Sequence, residues 1–126
     1  METEQRANKN RGFKHLDVWK DSIELYILSC KLLGDFPYDK KRTVGNVLDA
    51  CHSISRNIAE GYCRRSRKEY LNFLNYALGS SGEFHSSMIS FYMTGLISDV
   101  EYEEIDKLHF KLENRLLRLI SSLSIK

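Results

Sequence analysis

Proline is almost missing from this 126-residue chain: Pro37 stands alone, and with only seven glycines there are too few turn-makers for an all-β domain. Cysteine is equally sparse. Cys30, Cys51 and Cys63 form no C-x-x-C pair, and an odd number argues against a disulfide framework. Cys30 and Cys51 fall on apolar helical stripes and read as small core residues in a reducing compartment. No apolar run reaches the roughly 18 residues of a membrane span, and the polar first dozen residues carry no signal-peptide core. The expected location is the cytoplasm, with no membrane partner. Charge of one sign is not in excess either. Nineteen Lys and Arg face seventeen Asp and Glu, a net charge of +2, so any case for nucleic acid rests on where the charges sit.

Catalytic signatures are also lacking. There is no Gly-rich phosphate loop, and no serine or cysteine is recognisably paired with a histidine and a carboxylate. A dinuclear metal site in a helical bundle wants Glu-x-x-His, which does not occur; His15, His52, His85 and His109 are scattered singly. The expectation is a protein that is not an enzyme and takes no metal or cofactor. What the composition does provide is 42% hydrophobic and 29% charged residues, enough for one soluble domain with a core.

The hydrophobic pattern is helical throughout. Residues 1–12 are polar, lack periodicity and read as a flexible arm before a domain at 13–126. Leu16, Trp19, Ile23, Tyr26, Cys30 and Leu33 then alternate spacings of three and four, with Asp17 and Asp21 suited to the helix's positive end. Gly34 closes this helix and Phe36-Pro37 makes a turn. A second helix starts between Asp39 and Thr43 and carries Val44, Val47, Cys51, Ile54, Ile58 and Gly61 on its seam. Gly61 either ends that helix or lets a neighbour approach closely. Ser66 and Glu69 have capping-box spacing and open a third helix to about Thr94. It bears one stripe from Tyr70 to Phe91 and a second of Leu71, Leu78, His85 and Tyr92, which implies more than one neighbour, as in a bundle that oligomerises. Its Gly79 and Gly82 make sense where another helix packs closely. A second capping box, Ser98 to Glu101, opens a fourth helix with Ile105, Leu108, Leu112, Leu116, Leu119 and Leu123 inward. The fold class is all-α, an antiparallel up-down-up-down four-helix bundle.

Two polar features accompany the seams. Ser53, Asn57 and Glu60 flank the second helix, and Ser80 and Glu83 lie on the third, so the five can meet as a hydrogen-bonded network that fixes register. The up-down topology also gathers bases at one end: Arg64, Arg65, Arg67 and Lys68 around the second connection, with Arg115 and Arg118 near the finish of the fourth helix. Acids such as Asp99, Glu101, Glu103 and Glu104 collect at the other end, relieved by Lys40, Lys41 and Arg42. Helix-dipole compensation accounts for the fourth helix but not for four cations around a helix start. A nucleic-acid-contacting end is the functional reading, phosphate-directed because no aromatic platform or base-reading pattern accompanies the cations. The other reading is a structural or protein-interaction scaffold with no nucleic-acid role.

Sequence elements add a resemblance. Phe13, Leu16, Val18 and Trp19 form F-x-x-L-x-V-W; Ser53 to Gly61 read S-I-x-x-N-I-A-E-G, followed by R-x-S at Arg64 to Ser66; and Ala77, Gly79, Ser80 and Glu83 form A-x-G-S-x-x-E. From about Phe13 to Ile120 the chain resembles the 23S rRNA intervening-sequence proteins. One departure is Asn46-Val47-Leu48-Asp49-Ala50 where that family has Q-x-x-R-A, which removes an arginine from the second helix. The resemblance implies a homopentamer of four-helix protomers without established catalysis. A related protein, the accessory variability determinant of diversity-generating retroelements, binds RNA and a reverse transcriptase, so RNA or DNA and such an enzyme are the partners the resemblance implies.

Overall fold

The computed structural model describes residues 6–125, and among these there are four long helices, two short 3-10 segments and no strand. The helices are α1 (Asp17–Leu33), α2 (Lys41–Tyr62), α3 (Arg67–Met93) and α4 (Asp99–Ser124), with 3-10 turns at Lys9–His15 and Tyr38–Lys40. Their boundaries follow local chemistry. Ser98 and Glu101 close a full capping box: the serine oxygen accepts from the Glu101 N–H at 3.1 Å, and the carboxylate accepts from the Ser98 N–H at 2.8 Å. At Ser66 only half of the box forms. Its oxygen accepts from the Glu69 N–H at 3.1 Å, while the Glu69 carboxylate accepts from the serine hydroxyl at 3.2 Å instead of from its N–H. The α3–α4 turn needs glycine: Gly95 has φ +80° and sits where the Leu96 N–H returns to the Phe91 carbonyl at 2.9 Å, the Schellman arrangement.

The core draws on all four helices: Leu25 and Leu33, Cys51, Ile54 and Ile58, Leu74, Phe84 and Met88, then Ile105, Leu112 and Leu116 are fully buried. Each such side chain stabilises the fold by about 1.5–3 kcal/mol relative to an exposed position. Leu108, Leu119 and Leu123, read as inward, pack on this core while half-buried, as does Trp19, whose ring meets Phe13 edge-on at 5.4 Å. Burial pushes the Cys51 thiol up to about 12, so it serves as an inert filler donating to Ser29 Oγ at 3.9 Å.

Helix α1 meets α2 and α4, and α3 meets α2 and α4. The contacts pair Tyr26 with His52, Ser53 with Ser80, Tyr92 with Tyr102 and Glu24 with Lys111. Gly61 belongs to the close-approach alternative. A Cβ there would lie 2.7 Å from Phe73 Cβ, so α2 and α3 touch at that level, and α2 continues to Tyr62. Gly79 and Gly82 behave differently. A Cβ at either meets nothing within 4 Å, so no helix of this chain packs closely over them.

Of the segment 1–12 read as an arm, residues 1–5 lie outside the described residues. Lys9–Gly12 are part of the first 3-10 segment, which packs against the end of α2. The Cys63 thiol donates to the Asn10 carbonyl at 3.2 Å, and Gly12 lies under the Tyr62 ring, where a Cβ would fall 2.2 Å from the phenol oxygen. The helical unit thus starts a few residues before the boundary read from periodicity, because a 3-10 turn held by Asn8 needs no apolar repeat.

Candidate nucleic-acid interface

The cations around the α2–α3 connection are all exposed, but they are not equivalent. Arg64 is bound inside the protomer. Its Nη2 lies 2.6 Å from Glu60 Oε2, its Nη1 3.8 Å from Glu69 Oε2, and its guanidinium sits 4.7 Å over the Phe73 ring. Arg65, Arg67 and Lys68 have no acidic partner among the described residues. Arg67 and Lys68 line an open groove of about 580 Å³ with Leu71, Asn72, Leu123 and Ser124, which brings the start of α3 beside the finish of α4.

Arg115 departs from the sequence reading. Its Nη1 donates to both oxygens of Asp21, at 3.1 and 3.0 Å, and the Asp21 side chain is only 6% exposed. Lys111 adds a cation 3.6 Å from Asp21 and 3.3 Å from Glu24. Asp21 therefore does more than offset a helix dipole: it is a buried anion that ties α1 to α4, and Arg115 is its counter-ion. Arg118 is exposed beside Leu16, Asp17 and Val18.

The proposed polar network is smaller than expected. Asn57 Nδ2 donates to the Ser53 carbonyl at 2.8 Å and to Ser53 Oγ at 2.9 Å, and Ser53 Oγ reaches Ser80 Oγ at 3.0 Å. Glu60 turns to Arg64 instead, and Glu83 is exposed. The reason is axial. With Ser53 level with Ser80, Glu60 lies seven residues to one side and Glu83 three to the other, about 15 Å apart along the helices.

The structure also assembles groups that stood singly in the sequence. His109 is 2% exposed, with Nε2 2.8 Å from Ser81 Oγ and 3.1 Å from the Ser81 carbonyl. The His85 ring stacks on it at 4.5 Å, and His85 Nε2 lies 3.3 Å from Asp106 Oδ1. Burial, and secondarily His85, hold the His109 pKa below its ordinary 6.5, against smaller opposing effects of Glu113, the Ser81 bond and Asp106. Ser81 is fully buried, so this pairing joins α3 to α4 and offers no accessible nucleophile. Among the described residues no three His, Cys, Asp or Glu side chains are placed to hold a metal ion, and no helix is long and apolar enough to cross a membrane.

An aromatic pair does accompany Arg64. Phe73, under Arg64, meets Tyr76 edge-on at 5.5 Å, and Tyr76 is 59% exposed. The spacing of Tyr70, Phe73 and Tyr76 was the available signal, but only the α2–α3 register shows that, among the described residues, Phe73 alone of the three meets a cation, Arg64.

All-helical architecture with a small-residue crossing at Gly61 and the S-I-x-x-N-I-A-E-G element on α2 defines a class of compact helical proteins. Residues 14–118 match the family model of the 23S rRNA-intervening sequence protein, and the chain belongs to that family. Among solved structures, a protein with unknown function from the S23 ribosomal protein family of Bacteroides thetaiotaomicron is similar, with a TM-score of 0.76 and 24% identity over 82% of this chain and 95% of that one. That likeness speaks for the fold alone. No curated protein matches the chain.

Proposed function

We propose that this chain is a non-enzymatic, oligomeric protein whose protomer is an antiparallel up-down-up-down four-helix bundle, and that it binds RNA or other nucleic acid through its basic end. The observation that carries the reading is the exposed cluster of Arg65, Arg67 and Lys68, which has no acidic partner among the described residues. Ion pairs inside the protomer neutralise Arg64 and Arg115, so the remaining cations are the ones available to phosphates. Assembly is supported by apolar side chains left in solvent on α3 and α4, among them Met93 at 79%, Phe110 at 60% and Leu117 at 45%. A homopentamer, the state the family resemblance implies, would repeat the cluster around an axis and multiply weak contacts by avidity.

Filter binding of unrelated RNAs across salt concentrations tests this. Replacing Arg65, Arg67 and Lys68 by glutamine should weaken binding to all of them and flatten the salt dependence by roughly 0.7–0.9 in slope per lost phosphate contact. The matched triple at Lys40, Lys41 and Arg42 should do much less. Equal losses from both triples would refute the polarity, and no binding by the unmodified protein at low salt would leave the scaffold reading.

A further inference from the structure

We infer that the groove between the start of α3 and the finish of α4 holds one unpaired nucleotide of a bound strand, its phosphate on Arg67 and Lys68 and its base between Leu71 and Leu123. The inference rests on the basic-end reading above and adds to it where a base is taken and which kind of strand supplies it. The lining of the groove carries it. Arg67 and Lys68 stand there with Leu71 and Asn72 one helical turn further along α3, and Leu123 and Ser124 close it from α4. Among the described residues neither cation has an acidic partner, and the lining includes no carboxylate. Leu123 packs half-buried on the core, while Leu71, also half-buried, lies outside the described apolar side chains that pack there. The Asn72 side chain is exposed and has no hydrogen-bond partner among the described residues.

Each part of that lining answers a part of a nucleotide. Two uncompensated cations call for an anion. A phosphate by itself needs no apolar wall, and about 580 Å³ is the size of pockets that enclose a whole small molecule. Leucines from two helices suit the faces of a base, as apolar side chains do where a base has left its stack. The Asn72 amide offers a donor and an acceptor at the rim, the groups that a base edge presents in return. Arg67 with Leu71, and Lys68 with Asn72, are i, i+4 neighbours whose Cβ atoms lie about 5–6 Å apart, so charge and apolar wall fall within one nucleotide. Arg65, two residues before Arg67, lies outside the groove and also has no acidic partner among the described residues. A strand supplies it with a further phosphate, which a free mononucleotide would not. A duplex cannot fill the groove in this way, because its base faces are already stacked on one another.

The test compares four ligands: a single-stranded RNA of about ten nucleotides, its blunt duplex, an abasic strand of equal length, and adenosine monophosphate. Each is titrated into the unmodified protein and into Leu71→Ala, Asn72→Ala and Arg67→Gln, with oligomer mass and thermal midpoint recorded for every variant. The single strand should bind about tenfold more tightly than the abasic strand. Leu71→Ala should weaken the single strand about fivefold and Asn72→Ala about threefold, and both should leave the duplex and the abasic strand unchanged. Arg67→Gln should weaken all three. Asn72 is exposed, so its variant decides the matter if Leu71→Ala lowers the midpoint. Equal binding of the single and abasic strands, with no effect of Leu71→Ala or Asn72→Ala, overturns the inference while the basic-end reading stands. Unchanged affinity with an altered oligomer mass overturns it too, making the groove a contact between copies. Adenosine monophosphate bound as tightly as the strand overturns the assignment to a strand. Failure of the unmodified protein to bind any of the four removes the basic-end reading and this inference with it.

Discussion

Alanine at Gly61 and at Gly79 should change stability in opposite directions. Both glycines lie within long helices, so each substitution gains about 1 kcal/mol of helix propensity. The difference is room. At Gly79 a Cβ meets nothing within 4 Å, whereas at Gly61 it lands 2.7 Å from Phe73 Cβ and 3.2 Å from the Tyr70 carbonyl oxygen. Neither obstacle is the loose end of a side chain, so rotation relieves nothing. To restore ordinary contact at about 3.7 Å, α2 and α3 must part by about 1 Å, which forfeits a quarter to a half of each dispersion contact along the seam. Overpacking of this kind costs about 1–3 kcal/mol. Propensity cancels between the two variants, so the gap between them isolates the contact at about 1–3 kcal/mol. Gly79→Ala should raise stability by about 1 kcal/mol, and Gly61→Ala should lower it by up to about 2 kcal/mol once the propensity gain is subtracted. Urea denaturation followed by circular dichroism, with the denaturant slope checked for constancy, measures both. Equal shifts of the same sign would refute the close crossing at Gly61.

Three other expectations follow from the site geometry. Asn57→Leu should cost about 1 kcal/mol, because it removes the two bonds that the amide donates to Ser53, while Glu83→Leu at an exposed position should stay within about 0.5 kcal/mol; denaturation midpoints in the reverse order would contradict the placement of these residues. Asp21→Asn removes the buried charge that receives Arg115 and should cost about 1.5–3 kcal/mol, with Arg115→Gln, measured by the same melts, close behind; a neutral Asp21→Asn would show that the pair is dispensable. Because the His109 pKa is depressed in the fold, the unfolded chain binds the extra proton first. Stability is therefore fully present above about pH 6.5 and is lost as pH falls from there toward the folded-state value. His109→Gln should flatten that stretch of the pH–stability curve, and an unchanged curve would assign the acid sensitivity elsewhere.

Local signals were readable because they act over a few residues. Ser98 and Glu101 satisfy each other across one turn, and the α1, α3 and α4 seams fall within a residue or two of their observed helices. Family membership was equally legible, since the N-I-A-E-G element is contiguous. The site was harder for a geometric reason: periodicity says which face a residue occupies but not how far one helix slides along the next. Ser53, Asn57, Glu60, Ser80 and Glu83 all occupy sensible faces, yet only the 53–80 register decides that three of them join and two do not. Asp21 finds its partner 94 residues away, so in sequence it looked like any acid in an early helical turn. His109 left a trace, four residues after Ile105 and three before Leu112 on the buried side of α4. A wheel drawn for apolar residues alone passes over it.

Internal pairing changes what the charge pattern means. An arginine held against a carboxylate presents little net field beyond a Debye length of about 8 Å, so counting cations at one end overstates the potential there. Arg64 is matched by Glu60 and Glu69, and Arg115 and Lys111 by Asp21 and Glu24. Of the six candidate nucleic-acid contacts, those left to act at a distance are Arg65, Arg67, Lys68 and Arg118. The first three lie at or beside the Ser66 cap, where the α3 N-terminus adds its own partial positive charge and only Glu69 in the first turn opposes it. A stability role cannot account for that placement, because cations at a helix start are mildly unfavourable to the helix. Arg64 and Arg115 have their place in the fold explained by what they hold together; Arg65, Arg67 and Lys68 do not. An external anion is the partner that chemistry lacks, and the proposed function assigns that place to the phosphates of a nucleic acid.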